Sequence, residues 1–351
     1  MTAANIQSLD IRRFGMMKPM REKMIVEAAA DPIPPAFPVN ELSKALHPDV
    51  QHVKIGSIKE WDKDCKTYTF VPDPSRGTDQ IAFFKAGAYL SIFLDIDGVK
   101  LTRPYSICSS PREALEGSIS ITVKLVKGGF VSPYILENWK VGDPVDISGP
   151  LGEFGYIPVR DAKTVIALAG GSGITPFRSL AKAIAEGNED FRMILLYGSR
   201  TEENILFRED FDEIQAETNK VKVVHVLSDE DKPGFEHGFL SAELIQKYAP
   251  KDEPYSIFLC GPGAMYNFVD KEIEKLHLER KWIRHELQGE FHNPKEAPDY
   301  PQKAVPETVS ICVTINGETK EIQARSSDSV LQSLERNGIA APSRCRSGEC
   351  G

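Results

Sequence analysis

The 351-residue sequence lacks an excess of basic residues, because 51 Asp and Glu against 42 Lys and Arg give a net charge of −9. Nucleic-acid-binding proteins need a basic surface, so we expect no nucleic-acid partner. No run approaches the roughly 20 apolar residues of a membrane span. The first residues lack the continuous apolar core of a secretory signal, and we therefore do not expect export.

Cysteine is also scarce, and its distribution argues against a disulfide framework of the kind found in short secreted chains. Four of the six cysteines lie far apart, and of these Cys65 and Cys312 are predicted to be buried thiols in a reducing, cytoplasmic environment. The six are Cys65, Cys108, Cys260, Cys312, Cys345 and Cys350. Cys345 and Cys350 have the C-x4-C spacing that opens the plant-type [2Fe–2S] ligand run.

Two different periodicities divide the chain. Short alternating strands with turns between His52 and Ile157 predict a small antiparallel β-barrel. From Lys163 onward, continuous apolar strands alternate with helical segments, which predicts an α/β domain with a doubly wound parallel sheet. The predicted organisation is an N-terminal extension at 1–47, the barrel at 48–160, the α/β domain at 161–292, a linker at 293–307 and a C-terminal segment at 308–351.

The two ends of the chain carry smaller predicted elements. A short helix is predicted from Asn40 to Leu46, after a proline-rich extended stretch at 32–38. The C-terminal segment predicts a hairpin with an Asn-Gly turn and then a helix over 328–336. This order is that of an incomplete β-grasp, ferredoxin-like domain.

One candidate site lies at the end of a barrel strand, in the sequence Arg-Pro-Tyr-Ser. Arg103 could pair with a phosphate bidentately. Tyr105 could lie against the isoalloxazine ring of a flavin, and Ser106 could form a hydrogen bond near its N5 atom. Taken alone, the same sequence is also compatible with an ordinary strand end that carries a surface arginine.

Two glycine-containing turns each precede a helical segment. Gly129 and Ser132 lie where a strand gives way to a helix, and backbone N–H groups there form an anion site. Gly171 and Gly173 follow the first buried strand of the parallel sheet, where a dinucleotide pyrophosphate binds. Thr175 is predicted to cap the next helix. Either turn could also be purely structural.

A third turn, Cys260-Gly261-Pro262, ends another apolar strand of the same sheet. Ligands of such sheets sit at the carboxyl ends of the strands. Alone, Cys260 could equally be a buried core thiol.

The four motifs in this order resemble the ferredoxin–NADP⁺ reductase superfamily, over about residues 50–290. With the ferredoxin-like start that follows, the chain is similar to the reductase components of multicomponent oxygenases and to the reductase of hybrid cluster protein. The resemblance implies a protein that takes hydride from nicotinamide C4 to flavin N5 and passes single electrons to a [2Fe–2S] centre, a partner protein, or both. The implied acceptor is an oxygenase, hybrid cluster protein or another redox partner.

The resemblance also implies residue roles. Ser106 and Cys260 would lie at the site of hydride transfer. The flavin-binding residues would be Arg103, Tyr105, Ser106, Gly129 and Ser132. The nicotinamide-nucleotide-binding residues would be Gly171, Gly173, Thr175, Ser199, Arg200, Gly261 and Pro262. FAD is favoured over FMN, and the choice between NADH and NADPH stays open.

The C-terminal cysteines would be metal ligands, but they are two of the four that a [2Fe–2S] cluster needs. We therefore expect a flavin in this chain, and a cluster only in a full-length form. The alternatives are a flavin electron-transfer subunit of a larger dehydrogenase complex and an FMN-type oxygenase reductase. A scaffold without any cofactor is a further alternative.

Overall fold

The computed structural model describes residues 3–28, 37–286, 300–301, 306–315, 317–341, 343 and 346. The chain divides into two compact units, Met1–Ser43 and Lys44–Gly351. Within the described residues, no helix is long and apolar enough to cross a membrane.

The N-terminal region contains two helices, α1 (Ala3–Glu27) and α2 (Pro38–Leu46). The predicted helix over 40–46 is confirmed and begins two residues earlier. Helix α1 was not predicted, because its apolar residues do not follow a helical period, and methionines such as Met16 and Met20 are exposed on it. The proline-rich stretch predicted at 32–38 lies mostly outside the described residues.

Six antiparallel strands form a curled sheet in the order β4-β3-β6-β1-β2-β5. The strands are β1 (Gln51–Asp62), β2 (Cys65–Pro72), β3 (Tyr89–Ile96), β4 (Val99–Ser106), β5 (Ile119–Lys124) and β6 (Pro144–Ile147), with helices α3 (Pro111–Leu115) and α4 (Val131–Asn138) between them. A bridge between Ile107 and Ile121 joins the two edges of the sheet, beyond the end of β4. Alternate side chains, among them Tyr68, Phe70 and Leu90, fill the interior. The predicted barrel-type domain is confirmed.

The second sheet is parallel throughout, in the order β10-β9-β8-β7-β11-β12. Its strands are β7 (Thr164–Gly170), β8 (Arg192–Ser199), β9 (Val221–Leu227), β10 (Glu236–His237), β11 (Tyr255–Cys260) and β12 (Ile283–His285), and its helices are α5 (Thr175–Ala185), α6 (Arg208–Glu217), α7 (Ala242–Tyr248) and α8 (Gly263–Glu274). The chain order reverses on either side of β7, so β7 and β11 flank the crevice where ligands of such sheets bind.

Buried polar and aromatic contacts join the barrel to the α/β domain. Arg178 of α5 donates at 2.6 Å to the Cys108 carbonyl of the barrel and at 2.6 Å to Asp210 of α6 in the α/β domain. The Phe154 and Phe177 rings pack edge to face, with centroids 5.6 Å apart. These contacts hold the carboxyl ends of β7 and β11 against the barrel.

The C-terminal segment contains a hairpin and a helix. Strands β13 (Thr308–Ile315) and β14 (Glu318–Arg325) pair as the predicted hairpin. The predicted burial of Cys312 is wrong: it is exposed on β13, because the described sheet here has only these two strands. Helix α9 (Val330–Arg336) is confirmed, although it begins two residues after the predicted start. Its N-cap is Ser329, which forms a capping box with Gln332. The predicted domain boundaries stay a prediction.

Candidate active site

A cleft of about 1240 Å³ lies where the barrel, the parallel sheet and α9 meet. Most of the predicted cofactor-binding motifs contribute to its lining. Among the described residues, its lining has six basic side chains and two acidic ones, which suits anionic phosphates. The basic residues are Arg103, Lys124, Lys127, Arg325, Arg336 and Arg346, and the acidic ones are Glu286 and Glu335.

The Arg-Pro-Tyr-Ser sequence occupies the end of β4, and Tyr105 and Ser106 pair with Leu90 and Tyr89 of β3. Tyr105 packs against the barrel core, and burial raises the pKa of its phenol. The ring is therefore neutral, and both residues line the cleft. A rigid strand pair thus places an aromatic ring and a hydroxyl in the cleft, as a flavin site requires.

Arg103 lies on the same strand but is already engaged by a carboxylate. Its two terminal nitrogens donate to the Glu335 oxygens at 3.1 and 3.3 Å. One of them also donates to the Thr102 carbonyl at 2.8 Å. The flavin-phosphate role of Arg103 stays a prediction, because any phosphate must share this guanidinium with Glu335.

The turn before α4 leaves backbone open to the cleft. Gly128 has φ +73°, and a Cβ added there would meet no atom within 4 Å. At Gly129, a Cβ would come within 2.9 Å of the Val126 carbonyl oxygen, so the turn itself requires glycine. The Ser132 hydroxyl accepts from the Val126 N–H at 2.9 Å, which leaves its own hydrogen to donate. These features fit a phosphate group.

The glycine turn after β7 is a 3-10 turn, Gly171–Ile174, that continues directly into α5. A Cβ at Gly173 would lie 2.2 Å from the Cys260 carbonyl oxygen, so this glycine lets the ends of β7 and β11 touch. Gly171 has φ +52°. A Cβ added to it would have the Lys124 amine as its nearest contact, at 3.8 Å.

The predicted capping role of Thr175 is wrong. Thr175 is the first residue of α5, and its hydroxyl donates to the Ser172 carbonyl at 3.0 Å instead of accepting an N–H group. The preceding 3-10 turn already continues the helical path, so the N-cap position falls on Ile174. Thr175 and Gly173 nonetheless line the cleft.

Cys260 ends β11 and is 8% exposed. Burial raises the pKa of its thiol well above the ordinary value, and the Glu286 carboxylate raises it further. The thiol is therefore neutral. Gly261 and Pro262 follow it along the wall of the cleft.

Glu286 is a functional candidate that the sequence motifs missed. Its Oε1 atom lies 3.4 Å from the Ser106 hydroxyl, and it is buried. Its N–H donates to the Leu259 carbonyl at 2.9 Å, and its own carbonyl accepts from Tyr266 at 2.6 Å. Glu286 thus brings the Ser106 and Cys260 sites together. Its place directly after the last strand of the parallel sheet was the available signal.

Ser199 and Arg200 do not line the cleft, although Ser199 ends β8 and Arg200 follows it at the carboxyl edge of the sheet. Ser199 is buried, whereas the Arg200 side chain is 80% exposed. Arg200 pairs with Asp229 at 2.9 Å, and Asp229 also accepts from the Ser228 hydroxyl.

Cys345 and Cys350 lie outside the described residues, so their ligand role stays a prediction. In the described part of the chain, no group of three or more His, Cys, Asp or Glu residues could hold a metal ion.

Three family matches cover the same regions in the same order. Residues 53–156 match the oxidoreductase FAD-binding domain, 167–271 the oxidoreductase NAD-binding domain and 313–351 the 2Fe-2S iron-sulfur cluster binding domain. NADH-cytochrome b5 reductase 1 of Lodderomyces elongisporus is 33% identical over 245 residues, which span 68% of this chain and 79% of that protein. The chain belongs to the ferredoxin–NADP⁺ reductase superfamily.

Two further similarities cover more of the length of this reductase. One of the subunits of the 1,2-phenylacetyl-CoA epoxidase of Escherichia coli K12 is 27% identical over 305 residues, 84% of this chain and 83% of that protein. The solved structure of phthalate dioxygenase reductase is 25% identical, with a TM-score of 0.62 over 86% of this chain and 84% of that chain. The reductase is thus a flavin- and NAD(P)H-dependent oxidoreductase that transfers electrons to an iron–sulfur centre or partner, and the predicted family, fold class and activity are confirmed.

Proposed function

We propose that this reductase takes electrons from NADH and delivers them to the oxygenase component of a multicomponent oxygenase. The observation that carries the proposal is the single cleft in which Ser106, Glu286 and Cys260 meet beside α9. Relatives that are named as components of an epoxidase and of a glycine betaine monooxygenase support an oxygenase as the acceptor. Free thiols at Cys65, Cys108, Cys260 and Cys312 favour a cytoplasmic location.

The residues of the cleft would divide between two cofactors. Bound FAD would supply the group that accepts a hydride and releases electrons singly. Tyr105, Ser106, Gly129 and Ser132 would hold it, together with Arg103. The nicotinamide nucleotide would lie along the wall formed by Gly173, Thr175, Gly261 and Pro262, next to Gly171, and its ribose would lie near Ser199 and Arg200.

The chain's own groups would orient the reactants and handle protons. Cys260 presents a neutral, buried thiol, so it adds no charge where the nicotinamide would lie. The Ser106 hydroxyl can donate toward Glu286, and this pair can hold a proton beside the flavin. All three groups are buried, which favours a water-poor environment for the transfer.

NADH is favoured over NADPH by the charges around Arg200. A 2′-phosphate needs a free cation, but the guanidinium is neutralised by Asp229. Glu230, the next residue, adds a further carboxylate, which pairs with Lys232 at 3.1 Å. A 2′-phosphate would have to displace a carboxylate and face another, whereas the 2′-hydroxyl of NADH can donate to either.

Reconstitution tests the function. NADH-reduced, flavin-loaded protein is mixed anaerobically with a purified oxygenase component, and the optical spectrum of the oxygenase is followed. We expect its reduction in step with reoxidation of the flavin. Rapid NADH-dependent ferricyanide reduction without reduction of any oxygenase component would mean that the acceptor belongs to another class.

A further inference from the structure

A buried ion-pair cluster joins the C-terminal segment to the barrel. Glu335 of α9 accepts hydrogen bonds from Arg103 of β4 on one side. On the other side, Arg346 donates to the same carboxylate at 2.5 and 3.0 Å, and to the Thr102 carbonyl at 3.3 Å. We name this cluster of Arg103, Glu335 and Arg346 the arginine clamp.

The clamp is shielded from solvent, and both of its arginines contact the carboxylate bidentately. The side chains of Arg346 and Glu335 are 2% and 8% exposed, and that of Arg103 is 23% exposed. Both guanidiniums use two nitrogens on the carboxylate, which is the stronger and more directional arrangement. Removing one member of such a buried pair leaves an uncompensated charge, so the contact is costly to break.

The position of the clamp connects two sites. Arg103 belongs to the predicted flavin motif, and Arg346 directly follows Cys345 in the sequence. Arg103, Glu335 and Arg346 all line the same cleft. The carboxylate of Glu335 is therefore the link between β4 of the predicted flavin site and Arg346, the sequence neighbour of one predicted cluster ligand.

We propose that Glu335 is a positioning residue, which seats α9 at the flavin cleft through the arginine clamp. The proposal deepens the proposed function and rests on it, because α9 is useful there only if electrons leave a flavin in this cleft. Without the clamp, α9 would no longer be held at a fixed distance from β4 and the predicted flavin site.

Hydrogen exchange followed by mass spectrometry tests the clamp, on both flavin-loaded and flavin-free protein. Glu335→Gln keeps the size and helix propensity of the side chain but removes its charge. We expect the protected amides of α9 to exchange roughly 100-fold faster than in the unmodified protein, while those of β1 and β2 keep their rates. Glu318→Gln is the matched control, since Glu318 is exposed on β14 of the same segment, and we expect no change.

A second variant separates positioning from a local folding defect. Arg346→Gln leaves α9 intact but removes the other side of the clamp, and Arg346→Lys, which keeps the charge, should restore part of the protection. The double variant Glu335→Gln/Arg346→Gln should lose less than the sum of the two single effects, because both act on one contact. If Glu335→Gln does not fold, the Arg346 pair decides.

Unchanged exchange in α9 for both Glu335→Gln and Arg346→Gln would overturn the proposal, as would an equal effect of Glu318→Gln. Failure of the proposed function would have a different signature. Protein that takes up no flavin would refute the reductase assignment, whereas the exchange comparison on flavin-free protein would still decide whether the clamp seats α9.

Discussion

At the scale of single residues, the site depends on groups that are held neutral or paired by their surroundings. Burial and the neighbouring Glu286 carboxylate both raise the pKa of the Cys260 thiol. Arg200 is paired with Asp229, and Arg103 with Glu335. From residue type alone, Cys260 would be expected to be an ordinary thiol, and each arginine an unpaired surface cation.

Cys260 should resist alkylation at mildly alkaline pH. Because the pKa of the Cys260 thiol is raised in the folded protein, the thiol keeps its proton at a pH where an unfolded cysteine has lost it. Its contribution to stability is therefore fully present below the unfolded pKa and is lost as the pH rises from the unfolded towards the folded pKa. We expect iodoacetamide to modify Cys260 roughly 10-fold or more slowly than exposed Cys312 at about pH 8. Peptide mapping by mass spectrometry measures both rates, and equal rates would show that Cys260 is not buried as a neutral thiol.

Asp229→Ala should change the nucleotide preference. Freeing Arg200 makes a cation available to a 2′-phosphate, so kcat/KM for NADPH should rise roughly 10-fold while that for NADH changes little. Steady-state kinetics with both nucleotides measure the ratio. The control is Asp190→Ala, which removes an exposed carboxylate that pairs with Lys163 and Lys220 and not with Arg200. An unchanged ratio in Asp229→Ala would mean that Arg200 does not face the ribose.

At the scale of elements, the glycine turn after β7 and the contacts of α5 decide how the two sheets meet. Gly173 allows the ends of β7 and β11 to touch, and Arg178 fixes α5 to the barrel. Gly173 lines the cleft, so packing faults at this junction should alter its shape.

Gly173→Ala should destabilise the fold by about 1–3 kcal/mol, since the new Cβ would overlap the Cys260 carbonyl. Gly263→Ala is the control, because Gly263 opens α8 with no atom within 4 Å of a Cβ. Urea unfolding of the two variants gives the comparison. Equal stabilities would show that the strand ends are not in contact.

Arg178→Ala should cost about 3–5 kcal/mol, because it leaves the partly buried Asp210 without its partner at the domain interface. Arg192→Ala removes an arginine from an exposed pair with Glu253, and there we expect about 1 kcal/mol or less. Thermal unfolding measures both. Similar losses in the two variants would contradict a fixed interface between the barrel and the α/β domain.

The sequence predicted the element order because each sheet has its own period: alternation in the barrel and continuous apolar runs in the parallel sheet. It placed Ser106 and Cys260 at strand ends correctly, whereas β5 ends at Lys124, before the turn of Gly129. It missed Glu286 and Glu335, because their partners Ser106 and Arg103 lie 180 and 232 positions away, and only the assembled fold brings them together. It assigned the cap to Thr175 because a 3-10 turn that continues into a helix has no distinct sequence signal.

At the scale of the whole molecule, the barrel, the parallel sheet and the C-terminal segment each contribute residues to the lining of one cleft. The barrel supplies Tyr105 and Ser106, the parallel sheet supplies Cys260 and Glu286, and the C-terminal segment supplies Glu335. Electron entry, flavin and exit would therefore share one cleft, although along the chain the flavin-binding region precedes the nucleotide-binding region.

Anaerobic titration of the purified, flavin-loaded protein with NADH tests this account most directly. We predict a yellow protein whose visible flavin absorption is bleached by about one molar equivalent of NADH, as expected for transfer of one hydride to one flavin. In a parallel titration, the flavin of Glu286→Gln should be bleached to the same end point, but the bleaching after each addition of NADH should be slower. Wild-type protein that retains FAD but is bleached by neither NADH nor NADPH would contradict the central claim that the cleft brings nicotinamide and flavin together.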